Sequence, residues 1–439
     1  MRNLSPRRRD QNLRMRVLLT GASGFIGRHI AAELQRHGHV VVCAVRVGAR
    51  APAGCARVIE TDFTMDLEPS SWVEKLRGVD AVINGVGILR ERGEQTFASL
   101  HERAPCALFD ACVTAGVQRV VNISALGADE NAHSGYQLSK RRADTHLKSL
   151  PLAWTIVQPS LVYGPGGTSA RLFTMLASMP CIPVPERGMQ QVQPIHIDDL
   201  TEAIVTLLES PFTNPTTVPC VGPAPLALRD FLALLRASMQ LPSARFLFMP
   251  LSLVRVAARV GTFVPWMLLD SATLHMLMQG NVGDPGPVRA LLGRASRSPD
   301  RFIEARDAAA VRTSAQLKWL LPPLRWSIAI VWIVTGIVSL GLFPIDQSYQ
   351  LLHRVGVTPR LAPLFLYGAA GLDLALGFGT LFLRQRRLLW IVQIVLILTY
   401  TLIISVRLPE FWAHPYGPLL KNLPMLAAIG LLYTFERQR

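Results

Sequence analysis

Val17-Leu18-Leu19-Thr20-Gly21-Ala22-Ser23-Gly24-Phe25-Ile26-Gly27 decides how the first part of this chain is read. Apolar residues of strand character run into a turn with glycine at every third position, and helical spacing follows. A Gly-x-x-Gly-x-x-Gly turn alone is a weak signal; between a strand and a helix it gains physical meaning. Gly21 permits a tight turn, Gly24 lets a pyrophosphate approach the backbone, and Gly27 lets helix and strand pack closely. Ser23, Phe25 and Ile26 complete the cradle, with the phosphate charge at the helix N-terminus.

Working outward, apolar strand candidates recur at 16–20, 40–45, 57–60, 80–84, 119–123 and 153–158. A helix-length or loop segment separates each from the next, which predicts an α/β fold with a doubly wound parallel sheet. The second strand ends in Val45-Arg46, where an NAD-selective site usually carries a carboxylate for the ribose hydroxyl. A cation there suits a 2′-phosphate, with Arg50 as a second contact, so NADP(H) is favoured over NAD(H). Asp62 and Phe63 after the third strand are expected to border the adenine ring. Asn84, Gly85 and Val86 after the fourth are expected to approach the cofactor backbone.

Tyr136 and Lys140 stand one helical turn apart in Tyr136-Gln137-Leu138-Ser139-Lys140 and share a face. An ammonium near the phenol favours phenolate, which would lower the tyrosine pKa towards working pH for general acid–base transfer. Ser124 follows the fifth strand. His196-Ile197-Asp198-Asp199 reads as a helix start, with Asp199-x-x-Glu202 as its cap, and no metal is assigned. Six cysteines without a paired C-x-x-C arrangement read as reduced thiols of a cytoplasmic domain.

From Trp326 the composition changes. Apolar segments at 326–343, 361–383, 388–406 and 419–435 are each close to the roughly 20 residues needed to cross a core of about 30 Å. They predict an all-α domain of four transmembrane helices. Lys318, Arg325, Arg384, Arg386, Arg387, Arg437 and Arg439 outnumber Arg354, Arg360, Arg407 and Lys421 on the opposite side. Both ends are therefore expected in the cytoplasm of a multi-pass protein of the inner (plasma) membrane. Asp373, within the second span, calls for a partner, with Lys421 the candidate. The net charge of +15 is spread through both parts of the chain, which fits an anionic membrane surface and argues against nucleic acid.

The expected organisation is a disordered basic tail 1–14, a nucleotide-binding domain 15–225, a helical substrate lobe 226–300, a linker 301–325 and the membrane domain 326–439. Residues 249–265, apolar but interrupted by Arg255 and Arg259, read either as an ordinary helix of the lobe or as one lying on the membrane.

Together the soluble motifs resemble the short-chain dehydrogenase/reductases. More narrowly they are similar to the atypical NmrA-like members related to the nucleotide-binding accessory subunit of respiratory complex I. The resemblance covers roughly 15–300 through VLLTGASGFIG, NGVGIL, GVQRVVNISALGA, YQLSK, PSLVYGPGG from Pro159 to Gly167, and QPIHIDDL from Gln193 to Leu200. It implies a Rossmann fold holding a nicotinamide cofactor, with Pro159 at the cofactor. Tyr136 would be the acid–base, and Lys140 would bind ribose and tune Tyr136. The family's catalytic hydroxyl falls on Ser124, or its position falls on Ala125. TGIVSLGLFP, GLDLALGFG and KNLPML resemble DoxX-like four-helix proteins of respiratory and quinone-associated membranes.

The expectation is a membrane-anchored NAD(P)(H) oxidoreductase whose partners are the lipid bilayer and a small hydrophobic substrate such as a quinone or lipid. Two alternatives stand beside it: a non-catalytic sensor or accessory protein of a membrane respiratory complex, and a sugar-nucleotide epimerase or dehydratase.

Overall fold

The computed structural model describes residues 14–211, 215–263, 274, 277–278, 280–415 and 417–436. The basic tail up to residue 13, with Arg437 and Arg439, lies outside them. The chain divides into two compact units, residues 1–312 and 313–439.

In the first unit, β1 (Arg16–Thr20), β2 (Val40–Arg46), β3 (Arg57–Thr61), β4 (Ala81–Asn84), β5 (Arg119–Ile123) and β6 (Ala153–Pro159) appear where the sequence placed them. A further strand, β7 (Thr216–Cys220), extends the sheet to seven, in the order β7-β6-β5-β4-β1-β2-β3, with every pairing parallel. The sequence concealed β7 because Pro, Gly and Asn around it read as a change of unit. At the edge of a sheet Pro219 is tolerated, since an edge strand can do without one amide donor.

Both faces of the sheet are covered, as a parallel sheet requires. Val17 and Leu19 pack with Ile30 and Leu34 of α1 (Phe25–Arg36) and with Leu200 and Ile204. Leu18 faces the other way, onto Trp72 and onto Leu108 and Phe109 of α2 (Ala104–Ala115). Each such side chain, fully buried, stabilises the fold by about 1.5–3 kcal/mol.

The strand order reverses between β1 and β4, which opens a crevice at their carboxyl ends. The glycine turn lies there. Gly21 has φ +66°, and a Cβ on it would stand 2.8 Å from the Gly85 carbonyl oxygen. A Cβ on Gly27 would stand 2.2 Å from the carbonyl oxygen of Gly21.

The thiols need correction. Cys43 of β2 and Cys55 form a disulfide, with Cα atoms 6.0 Å apart. The chain folds back along β2 before β3, where the Ala56 amide donates to the Val41 carbonyl. A spacing of 12 residues gives no sign of that return. Cys106, Cys112, Cys181 and Cys220 are free.

The stretch expected to be a linker is largely helix. A helix runs over Ala308–Ile337 with Pro322 and Pro323 inside it. The polarity of 301–325 suggested a linker, but its alanines and long side chains are good helix formers. Among the described residues three helical segments are long and apolar enough to cross a membrane: Ala308–Leu342, Ala362–Phe382 and Arg387–Arg407. The fourth expected span is the shorter helix Asn422–Phe435, because residues 418–421 form a turn before it. Its 14 residues reach about 21 Å, against a hydrocarbon core of about 30 Å. An amphipathic helix, Ile345–Val355, follows the first span and was not anticipated.

Within this unit, Trp332 Nε1 donates to Gln393 Oε1 at 3.1 Å, and Gln393 Nε2 donates to Thr380 Oγ1 at 2.8 Å, tying three helices. Arg325 and Arg386 both reach Glu436, at 2.6 and 3.1 Å. Asp373 is half-buried, and among the described residues its Oδ1 has no hydrogen-bond partner. Among the described residues no ion pair joins it to Lys421, which is exposed ahead of the short helix.

A Gly27→Ala substitution should destabilise the first unit by about 1–3 kcal/mol, because its methyl group must displace backbone. Thermal unfolding of the full chain in detergent checks this, and an unchanged midpoint contradicts the packing described.

Candidate functional site

The crevice is built on the end of β1. Thr20 Oγ1 donates to Asn84 Oδ1 at 2.7 Å and accepts from the Gly85 amide at 3.2 Å, fixing the two loops against each other. Gly24 is the N-cap of α1, where no side chain caps the helix and no acidic residue occupies the first turn. Ser23 and Gly24 are exposed, Phe25 and Ile26 half-buried. Uncapped amides and the positive end of the helix dipole suit a phosphate. The glycine cradle and this helix end fit a dinucleotide.

At the far end of β2, Arg46 is exposed and pairs in register with Thr61. Asp62 follows. Its carboxylate accepts from the hydroxyl and amide of Thr64, at 2.7 and 2.9 Å, and these bonds lower its pKa, with a smaller contribution from Arg46. Among the described residues neither the Arg46 nor the Arg50 guanidinium is in a hydrogen bond or ion pair, and Arg50 is exposed in the loop closed by the disulfide. The side chain of Phe63 belongs to the core, edge-on to Trp72 with ring centroids 5.2 Å apart.

A buried polar chain runs beneath the crevice to α3 (Gly135–Ser149). Asn84 Nδ2 donates to Asn122 Oδ1 at 2.8 Å, Asn122 Nδ2 donates to Asp144 Oδ1 at 2.7 Å, and Ser124 Oγ donates to Asp144 Oδ2. Burial raises the Asp144 carboxyl to about 6, although both donors oppose the shift. The Ser124 hydroxyl is therefore committed to Asp144. Ala125 beside it is buried. Pro159 ends β6, its carbonyl accepting from the Leu126 amide at 3.1 Å.

Lys140 is buried, and Nζ donates to the carbonyls of Val86 at 3.1 Å and Ile123 at 3.0 Å, bridging the ends of β4 and β5. Burial lowers its pKa to about 8, with Asp144 opposing. Tyr136 is half-buried, and burial raises its phenol to about 12. The expected lowering by Lys140 is thus reversed: the ammonium is held by two carbonyls, and desolvation governs the phenol.

Sequence reasoning missed His101. Its ring stacks on Phe97 at 5.2 Å and meets Tyr136 edge-on at 5.4 Å. Nε2 accepts from the Ile88 amide at 2.9 Å, which leaves Nδ1 to donate to Ser139 Oγ at 3.0 Å; that hydroxyl donates to the Tyr136 carbonyl at 2.9 Å. Burial, with the Lys140 charge adding to it, pushes the imidazole down to about 2. No spacing signals His101. Asp144 was missed as well, although its signal was present, since Tyr136, Lys140 and Asp144 form one four-residue stripe along α3.

The helix read as starting at Asp199 covers Ile197–Glu209 and is capped by His196, whose Nδ1 accepts from the Asp198 amide at 3.3 Å. Asp199 and Glu202 both pair with Arg294, at 2.8 and 2.6 Å. A distant cation thus takes the carboxylates that the local pattern assigned to capping.

This geometry defines a Rossmann-type NAD(P)-binding domain. Residues 21–185 match the NAD(P)H-binding family and residues 329–430 match the DoxX-like family, so an NmrA-like nucleotide-binding domain is joined to a DoxX-like one. A ceramide reductase of Caulobacter vibrioides is 29% identical over 197 residues, covering 44% of this chain and 61% of that protein. The mitochondrial NADH-ubiquinone oxidoreductase 40 kDa subunit of Neurospora crassa is 27% identical over 210 residues, covering 46% of this chain and 54% of that protein. The chain therefore spans less than two thirds of the length of either relative. A nucleoside-diphosphate-sugar epimerase structure from Staphylococcus aureus superposes with TM-score 0.54 at 18% identity, covering 66% of this chain and 99% of that one. At that identity the likeness is one of fold.

The buried imidazole sets a pH dependence. The unfolded chain takes up a proton near pH 6.5, whereas folded His101 refuses it until about 2, so stability is lost as pH falls below 6.5. Asp144 acts oppositely: its folded pKa of about 6 exceeds the ordinary 3.8, so its contribution is lost as pH rises through that interval. A His101→Gln variant, which can keep one donor and one acceptor, should gain stability relative to wild type as pH falls from about 7 to about 4. Thermal midpoints across that range measure it, and parallel curves for the two proteins would refute the assignment.

Proposed function

We propose that this chain is a membrane-anchored, NADP(H)-preferring oxidoreductase that reduces a carbonyl on a lipid-like or quinone-like molecule. The observation that carries the reading is the placement of Tyr136 and Lys140 one turn apart on α3, with Lys140 bonded to the Val86 carbonyl in the loop that meets the glycine turn, in a chain that also holds helices long and apolar enough to cross a membrane. The dinucleotide would supply a hydride to the substrate carbon. Gly21, Ser23, Gly24 and the start of α1 would hold its phosphates, Gly85 and Val86 would line its path, and Arg46 with Arg50 would meet a 2′-phosphate.

Tyr136 keeps its proton at neutral pH, since its pKa lies near 12, and so is prepared to donate it to a carbonyl oxygen. The phenolate left behind is a charge in a desolvated place, and the Lys140 ammonium, present below about pH 8, is the nearby compensating group. Reduction is therefore the direction that these protonation states favour. The ceramide reductase relative supports a lipid substrate. The localisation that goes with this reading is the inner membrane, with the nucleotide-binding unit in the cytoplasm.

A second reading has its own observation. Ser124 donates to Asp144, and among the described residues no hydrogen bond joins it to Tyr136. A dinucleotide-binding module without turnover, supporting a membrane respiratory complex, accords with that arrangement and with the similarity to the complex I subunit.

Full-length protein in detergent should bind NADPH more tightly than NADH, and Arg46→Asp should reverse the order, because a carboxylate repels a 2′-phosphate and accepts from a 2′-hydroxyl. Fluorescence titration with both nucleotides decides it; equal wild-type affinities would sink the NADP(H) preference.

Tyr136→Phe should leave nucleotide affinity nearly unchanged and reduce turnover by about 10²–10⁴-fold. The assay follows NADPH oxidation with ceramide-like ketones and quinones in mixed micelles. Undiminished function of the variant in cells would favour the second reading.

A further inference from the structure

One surface of the first unit remains outside this chemistry. The strand Phe246–Met249 pairs in parallel with Ile182–Pro185 in a two-stranded sheet, and among the described residues no strand pairs with its other edge. Successive side chains of a strand point to opposite faces. Leu247 and Phe248 are nonetheless 52% and 53% exposed, so neither face of the strand covers its apolar side chain. The helix Leu251–Phe263 follows directly. Val254 and Ala258 turn inward onto Leu274, while Leu253 and Val256 remain 50% and 55% exposed. Arg255 and Arg259, one turn apart, are exposed on this same helix, and Arg245 is exposed ahead of the strand.

Charge indicates what this surface meets. Between Asp230 and Asp270 the sequence contains four arginines and no acidic residue. Arg236 is turned inward, donating to the carbonyls of Ala177, Met179 and Pro242. The other three are exposed, and among the described residues none is in an ion pair. Apolar side chains interleaved with arginines, in a segment that itself carries no carboxylate, form a surface that inserts shallowly between anionic headgroups. Glu186, whose amide donates to the Met249 carbonyl at 2.7 Å, is exposed at the end of the strand beside exposed Arg187, so the surface as a whole keeps a net positive charge. The chain also carries its own membrane-spanning helices, which keep this surface at high effective concentration near a bilayer.

We propose that Phe246–Met249 and the exposed face of Leu251–Phe263 form a docking surface for a bilayer containing anionic phospholipid. Leu247, Phe248, Leu253 and Val256 enter the headgroup–acyl boundary, and Arg245, Arg255 and Arg259 hold the phosphates. The amphipathic character of 249–265, which the sequence left between two readings, thereby serves both: the inward face packs the lobe and the outward face meets lipid. The inference requires a bilayer but neither NADP(H) preference nor turnover.

The test places a photoreactive benzoyl-phenylalanine at Phe248 of the full-length protein, and in a control at Met65, which is 72% exposed. Both proteins are reconstituted in nanodiscs of phosphatidylcholine with phosphatidylglycerol, and in phosphatidylcholine alone. Irradiation should give lipid adducts at Phe248 about fivefold or more above Met65 in the anionic discs, with most of the excess lost in pure phosphatidylcholine. Combining Arg255→Glu with Arg259→Glu should remove the excess while NADPH affinity, measured in parallel, reports that the unit is folded. If that variant does not fold, the comparison of lipid compositions on the wild-type background still decides. Adduct yields at Phe248 equal to those at Met65 would overturn the proposal, as would crosslinks joining two copies of the chain. A failed NADPH titration would leave the lipid adducts unaffected, so the two ideas fail separately.

Discussion

The first unit depends on a close approach of backbone to backbone. The turn at Gly21 lies so near Gly85, and Gly27 so near Gly21, that neither contact leaves room for a Cβ. This crossing brings the end of β1, the loop after β4 and the start of α1 to one point. The sheet on one side and α1 on the other are held at the distance that aims the helix amides into the crevice. A bulkier residue would move the helix, and with it the uncapped donors able to meet a phosphate at this place.

Below that crossing the polar chain from Thr20 through Asn84 and Asn122 to Asp144 does a second task. It continues the strand ends into α3, so the helix carrying Tyr136 and Lys140 is registered to the same strands that carry the glycine turn. Such a network is stabilising only when every member is satisfied. Asp144 satisfies it by accepting from both Asn122 and Ser124. The same arrangement withholds the Ser124 hydroxyl from the cleft, so the groups that join site to scaffold also narrow the chemistry available there.

The six strands, the glycine turn and three membrane helices were legible because each is written locally, in apolar runs, periodicity and glycine spacing. What remained hidden depends on groups distant in the chain. β7 was masked by its own proline, which only an edge position accommodates. His101 reaches Tyr136 across 35 residues without a motif to mark it. Cys43 and Cys55 meet because a loop reverses, and Asp199 is taken by Arg294 rather than by its own helix. The tyrosine shows the same limit in its chemistry: spacing correctly put Lys140 on its face, but burial decides the pKa, and burial is a property of the assembled fold.

The short helix Asn422–Phe435 bears on the bilayer itself. Among the described residues, three crossings would put the two flanks of the second unit on opposite sides and a fourth would return them to the same side, so the parity of that unit rests on one helix. At about 21 Å it is matched to a hydrocarbon layer some 9 Å thinner than usual. Arg325, Arg386 and Glu436 gather at its carboxyl end, where Trp390 also donates to Glu436 at 3.2 Å. Charges so placed hold headgroups and water inward. A four-crossing topology thus requires the membrane to dimple around this helix, which would make lipid thickness a determinant of which side the last residues occupy.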